Sequence, residues 1–337
     1  MLNAKKICKK AALVFFCFYI NAPVSLAQNI PGVISVHDPV IIRQDSTYYI
    51  FCTGMGITVY SSRDMKNWQQ QPPVFAKAPE WAVKAIPHFR GHIWAPDISY
   101  HNGLYYLFYA VSAFGKNTSA IGVATNKTLD IHSPAFTWED HGQVIQSVPG
   151  RDMWNAIDPN IITDEKNVPW MVFGSFWNGI KIVKLDSTLL AVARPEQWYT
   201  VAARARNAVL PDSVAGDAAI EGPFVFKKDK YYYLFVSFDY CCRGEKSTYK
   251  MMVGRSENVY GPYVDRDGVP MNLGGGSLVL EGNKNWNGVG HNAVANFDGT
   301  DYLVFHGYDA QDNGKSKLRI EKLLWINGWP VVQQRLE

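Results

Sequence analysis

Five short runs decide the fold: YYIFCTG at residues 48–54, YYLFYAV at 105–111, WMVFGSF at 170–176, YYYLFVS at 231–237 and YLVFHGY at 302–308. Each is aromatic and β-branched, and each is bounded by turn-forming residues, the pattern of a buried strand. About ten residues upstream of each run lies a second recurring motif: HDPVI, APDIS, IDPNI, EGPFV and HNAVA. Taking Asp38, Asp97, Asp158, Glu221 and Asn292 as the polar anchors of these motifs, the steps are 59, 61, 63 and 71 residues. A period near sixty marks a repeat architecture.

Within each unit the order is anchor, turn (RQDS, YHNG, DEKN, KKDK, FDGT), aromatic run, and a third run such as GITVYSS or AIGVATN. An outer strand is expected near TWEDHG and GPYVDRDG, which makes each unit a four-stranded antiparallel sheet. Helical patterns of ten to fifteen residues between the strands are missing, which argues against a TIM barrel or a doubly wound sheet. The expectation is an all-β, five-bladed β-propeller. The competing arrangement, an immunoglobulin-like array or long β-sandwich, explains the bulky second strands less well, because blades stack face to face and need thick apolar layers between them.

The first 27 residues read as a secretory signal. Lys5, Lys6, Lys9 and Lys10 precede an apolar segment from Ala11 to Ile20, and small residues at Ser25 and Ala27 suit cleavage. The apolar run is too short to span a bilayer, and no later segment does so. The propeller is therefore assigned to residues 28–337. Removing the leader takes away four lysines and no acids, so the formal charge falls from +3 to −1. Neither nucleic acid nor a membrane is expected as a partner. Beyond the leader stand Cys52 and the adjacent Cys241 and Cys242, too few for a disulfide scaffold. Either a bond between the neighbours or a pair of free thiols is compatible with this count. Asn117-Thr118-Ser119 matches a glycosylation acceptor, a pattern short enough to arise by chance.

First strands line the channel of a propeller, so the anchors should converge at one end of the axis. Their identities differ, with Asp38, Asp97, Asp158 and Glu221 acidic and Asn292 neutral, which suggests one asymmetric site rather than repeated equal ones. Carboxylates without a metal or cofactor motif point to glycoside hydrolysis, in which one acid protonates the leaving oxygen while another activates water or attacks the sugar. The residues themselves do not single out two of the four.

Across nearly the whole mature chain, VHDPV, HIWAPDI, NAIDPNI, GSFWNGI, AIEGPFV, SFDYCCRG and GHNAV occur in that order. This set closely resembles the arabinan-degrading members of glycoside hydrolase family 43. The resemblance implies an inverting hydrolase acting on α-1,5-linked L-arabinofuranose chains, the arabinan side chains of pectin. It implies Asp38 as general base, Glu221 as general acid and Asp158 as the carboxylate that orients the acid and raises its pKa. Asp97 is left as structural, bonding within its blade. Trp94 and Phe114 would offer apolar faces to the furanose ring. His37, Asn155, Ser175 and Asn178 would bond its hydroxyls. His291 is either satisfied in the channel wall beside the substrate or a metal ligand, since the family often places an ion, commonly calcium, near such a histidine. Calcium is not suggested by the residues themselves, because no Asp-rich loop is present, and no cofactor is required for the chemistry. A monomer is expected. The rival functions are an exo-acting arabinofuranosidase or xylosidase of the same family, and a carbohydrate-binding module with a decayed site.

Overall fold

A computed structural model describes residues 29–31 and 34–333; the leader assigned above lies outside the described residues. The five aromatic runs are the second strands of five sheets. Blade 1 is built from Val40–Gln44, Thr47–Cys52, Thr58–Ser62 and Asn67–Gln71, and blade 2 from His92–His101, Leu104–Val111, Ser119–Asn126 and Glu139–Ser147. Blade 3 runs Asn160–Thr163, Pro169–Phe173, Ile180–Lys184 and Trp198–Ala202. Blade 4 runs Ile220–Lys228, Tyr231–Phe238, Lys250–Ser256 and Ser277–Leu280, and blade 5 Trp286–Phe297, Thr300–Asp309, Lys315–Ile326 and Trp329–Gln333. All pairings are antiparallel, and the architecture is a five-bladed β-propeller.

The second strands lack polar alternation because both of their faces are covered. In Tyr231–Phe238, Leu234 and Val236 enter the core shared with blade 3, whereas Tyr233 and Phe235 enter the core shared with blade 5. Leu107 and Phe108 divide in the same way between the cores toward blades 1 and 3. Each interface thus has its own apolar layer, and a strand between two layers is written as one continuous apolar run.

Among the described residues no strand is exchanged to close the ring. Asn29–Pro31 pairs on the outer edge of blade 1, with Asn67–Gln71. Blades 5 and 1 meet through Ile41, Ile50, Val304 and Leu318, the Leu318 N–H to Ile34 carbonyl bond of 2.9 Å, and the Arg43–Asp298 ion pair.

Two expectations about strands change. TWEDHG does lead into the outer strand of blade 2, but GPYVDRDG does not form that of blade 4, which is Ser277–Leu280. In that segment Val264 makes only isolated bridges, Pro262 has no N–H to give, and Asp265 closes a turn onto the Val269 N–H. Asn117 is fully buried and donates to the Asp152 and Trp154 carbonyls, so the glycosylation motif is structural.

The anchors also fall into a different register. Backbone equivalence follows the residue with left-handed φ at the start of each inner strand: Asp38 (53°), Ala95 (41°), Asp158 (57°), Gly222 (56°) and His291 (51°). In four blades a proline follows, and in the fifth Asn292 does. Only Asp38 and Asp158 occupy equivalent places; Glu221 stands one residue before the turn, Asn292 one after and Asp97 two after. Ladder irregularities at Trp94/Asp97, Glu221/Phe224 and Gly290/Ala293 mark these bulges, which re-aim the neighbouring side chains.

Around the axis each blade is tied to the next by a side chain that accepts a backbone N–H. Thr53 Oγ1 accepts from Ala95, and Asp97 from Ile161 and from the Asn160 amide. Asp158 accepts from Gly222 and Asn160 from Val225. Ser237 accepts from His291, and His306 Nδ1 from Asp38. Asp97 is therefore structural but bonds across to blade 3, not within its own blade. Burial, opposed by its two donors, pushes its carboxyl up to about 6. Asp97→Ala strands both donors in a buried site, and unfolding in urea should show a loss of roughly 2–5 kcal/mol; a change below about 1 kcal/mol would contradict the tie.

Candidate active site

A cleft of about 830 Å³ draws on all five blades and contains Asp38, Trp94, Asp158, Glu221 and His291. Asp38 is buried and surrounded by donors. His37 Nδ1 and His291 Nδ1 lie 2.8 and 3.0 Å from its Oδ1, and the Thr53 hydroxyl donates to Oδ2 at 2.6 Å. Burial alone would raise this carboxyl, but the two histidines more than offset it and hold Asp38 well below the usual carboxylate range.

Glu221 has a different shell. Ser175 donates to Oε2 at 2.8 Å and Tyr249 to Oε1 at 2.9 Å, both neutral hydroxyls. Burial raises its pKa, the hydroxyls only partly counter this, and the negative charge of Asp38 adds to the rise. Asp158 is likewise raised, first by burial and then by Glu221 and Asp38. Its Oδ2 accepts the Gly222 N–H at 3.0 Å, so it fixes the backbone next to Glu221. His291 is raised to about 9, because Asp38 and Asp158 outweigh its burial. One cleft therefore holds an ionised carboxylate beside two carboxyls that favour protonation.

The remaining expected residues divide. Trp94 lines the cleft, its indole N–H held by His92 Nδ1 at 2.9 Å, and Phe114 stands at the rim, 80% exposed. Asn155 is buried at the cleft, and its Oδ1 has no partner among the described residues. Ser175 and His37 are present but committed. The Ser175 proton goes to Glu221, and both His37 nitrogens are engaged, Nδ1 with Asp38 and Nε2 with the Tyr308 hydroxyl at 2.8 Å. Their protons are committed to neighbouring residues, while the Ser175 oxygen keeps lone pairs that can accept from a sugar hydroxyl. Asn178 is not brought to the cleft at all. It is exposed, its N–H bonds Met153, and left-handed turns at Phe176 and Trp177 send Phe176 to the cleft instead.

Sequence reasoning missed Thr53, Tyr249, His306 and Tyr308. Three of these sit near the ends of the aromatic runs, where YYIFCTG and YLVFHGY break into polar letters. That break is the signal the sequence offers. Cys241 and Cys242 form a disulfide at the rim of the cleft, and Cys52 is a buried free thiol.

Residues 31–330 match the family described as Glycosyl hydrolases family 43. The chain belongs to that family. Among family relatives, the extracellular exo-α-(1→5)-L-arabinofuranosidase ArbA of Cellvibrio japonicus is 54% identical over 303 residues, covering 90% of this chain and 87% of the relative. The extracellular endo-α-(1→5)-L-arabinanase 1 of Bacillus subtilis is 42% identical over 299 residues, covering 88% and 87%. The solved structure of Cellvibrio cellulosa α-L-arabinanase complexed with arabinohexaose superposes with a TM-score of 0.88 at 54% identity, covering 89% of this chain and 96% of that one.

Within this family 43 cleft, Gly222 is the position where backbone and site meet. Its φ is +56°, and a Cβ there would stand 3.1 Å from the His291 ring. Gly222→Ala should lower stability by roughly 1–2 kcal/mol and displace His291 from Asp38. The loss of kcat should persist at temperatures where circular dichroism shows the variant fully folded; activity that falls only as the variant melts would contradict this coupling.

Proposed function

We propose that this family 43 hydrolase cleaves α-1,5-linked L-arabinofuranosyl bonds in arabinan with inversion, using Asp38 as general base, Glu221 as general acid and Asp158 to orient that acid. The observation that carries the reading is the opposite treatment of carboxyl groups inside one cleft: Asp38 meets three donors, while Glu221 meets hydroxyls and burial. The substrate follows from the names of the relatives, both of which act on α-(1→5)-linked arabinose.

The atoms support a direction for each proton. Asp38 Oδ1 already takes two donors, whereas Oδ2 takes only Thr53 and keeps a lone pair for a proton from water. Water attacks the anomeric carbon as that proton leaves. Glu221 gives its proton to the departing glycosidic oxygen and is left as a carboxylate, stabilised by Ser175 and Tyr249. Inversion needs roughly 6.5–9.5 Å between the two carboxyls to seat the water. Each has its own partners, and among the described residues neither bonds the other.

Calcium forms no part of this scheme. A calcium site takes six to eight oxygens, whereas the axis offers an imidazole already turned to Asp38 and the buried amide of Asn292, whose side-chain atoms have no partner among the described residues. These side chains alone would not fill a calcium shell, and an ion beside His291 would take its remaining ligands from water. Secretion after removal of residues 1–27 is part of the proposal and is supported by the extracellular relatives. Release of chain ends rather than internal cleavage is the second reading, favoured by the exo-acting name of the 54% identical relative. A product-time course on linear arabinan separates them: arabinose or one short product from the start means exo action, a ladder of oligomers means endo action.

Glu221→Ala should reduce turnover of arabinan by about 10²–10⁴ yet retain much of the activity on aryl arabinosides, whose leaving groups need little protonation. Equal loss on both would reassign the acid. The pH dependence follows from the directions above. Depressed Asp38 stays ionised down to below about pH 4, so activity persists through the weakly acidic range. Activity falls as pH rises through the raised pKa of the Glu221–Asp158 pair. That alkaline limb should disappear for Glu221→Ala on the aryl substrate. Proton NMR of the first product should show the β-anomer, and an α-anomer would mean retention.

A further inference from the structure

The hydroxyl of Tyr308 sits among three nitrogen neighbours, and their protons can be counted. Cys242 N–H donates to it at 2.7 Å, His37 Nε2 lies at 2.8 Å and His306 Nε2 at 3.3 Å. His306 is fully buried, and its Nδ1 accepts the Asp38 backbone N–H at 3.1 Å, so that nitrogen carries no proton. The ring proton of His306 is therefore on Nε2, pointing at Tyr308.

A phenolic oxygen has two lone pairs and one proton. Cys242 and His306 fill the lone pairs. A third donor would find no lone pair left on Tyr308, and the Cys242 sulfur 3.8 Å from His37 Nε2 is a long, weak acceptor, so the 2.8 Å contact with His37 runs the other way, from the Tyr308 hydroxyl to His37 Nε2. The Ser247 hydroxyl also neighbours Tyr308 and can accept as well as donate; it already accepts the Arg243 N–H at 3.1 Å, and the 2.8 Å contact between Tyr308 and His37 is the bond that takes the phenolic proton.

From this wiring we infer that Tyr308 is a positioning residue, locking His37 as the neutral tautomer protonated only at Nδ1 and so aiming its single N–H at Asp38 Oδ1. The chain of contacts begins at the rim of the cleft. The disulfide turn at Cys241–Cys242 holds Cys242 at φ +63° and presents its N–H to Tyr308. Tyr308 is 3% exposed, and His37 is stacked on His306 with ring centroids 3.9 Å apart, so neither ring is free to turn. His37 flipped to the other tautomer would face Asp38 with a lone pair, and the carboxylate would lose a donor and meet repulsion. The catalytic consequence rests on the reading of Asp38 as general base. The tautomer itself does not.

Long-range proton–nitrogen correlation spectra of the wild-type protein test the tautomer directly, with a His37→Asn spectrum to assign the signals. The expected result at neutral pH is a protonated Nδ1 and an unprotonated Nε2 in His37. A proton on Nε2, whether in the other tautomer or in an imidazolium, overturns the inference. Tyr308→Phe removes the hydroxyl alone. It should lower kcat on linear arabinan by about 10–100-fold with KM within about threefold, and the His37 nitrogen signals should move toward the average of two exchanging tautomers. A kcat within about twofold of wild type together with an unchanged His37 signature overturns it. The wild-type spectrum needs no substrate and decides the question even if the variant does not fold. Failure of the wild-type enzyme to cleave arabinan would instead defeat the functional reading and leave the tautomer standing.

Discussion

Everything in this molecule depends on bonds between neighbouring blades at the axis. Among the described residues the ring closes without an exchanged strand, so no backbone ladder crosses its seam and its inner strands are held by side chains that reach over to the next blade. The acceptors Thr53, Asp97, Asp158, Ser237 and His306 do this. Two of them, Thr53 and Asp158, line the cleft, and His306 lies buried behind Asp38. The same contact that registers blade 3 against blade 4 places the backbone beside Glu221, and the one that closes blade 5 onto blade 1 orients Asp38. Fold and site are thus built from one set of bonds, and the left-handed turns that interrupt the inner strands are what aim the acids inward.

Electrostatics then separates groups of like chemistry. Three carboxyls in a buried cleft cannot all be ionised, and the donors decide which is. Asp38 receives two imidazole N–H groups and a hydroxyl. Glu221 receives only hydroxyls, and Asp158 a single backbone N–H. The outcome is a cleft with one ionised carboxylate beside carboxyls that favour protonation, which is what the proposed base and acid require.

The blades were legible in the sequence because a strand between two apolar layers has no solvent face, and such runs stand out against turns. Asp38, Asp158 and Glu221 were legible through their motifs. The register of the anchors was not. Reading keyed on acidic letters, whereas the backbone keys on the residue with left-handed φ, which is alanine in blade 2 and glycine in blade 4. The partners of the acids were hidden for a related reason: Thr53, Tyr249 and Tyr308 are ordinary strand residues by type, and their role comes from contacts between distant blades. His37 and Ser175 were found as residues but their bonds to Asp38, Tyr308 and Glu221 were not, since a polar side chain in a cleft serves a neighbouring acid as readily as a sugar.

The central claim is the division of protons among the three carboxyls, and neutron diffraction from a deuterium-exchanged crystal at neutral pH measures it most directly. The account predicts no deuterium on Asp38 and one shared by the Glu221–Asp158 pair, on Glu221 when the acid is ready to act. Deuterium on Asp38, or a Glu221–Asp158 pair carrying none, would contradict it.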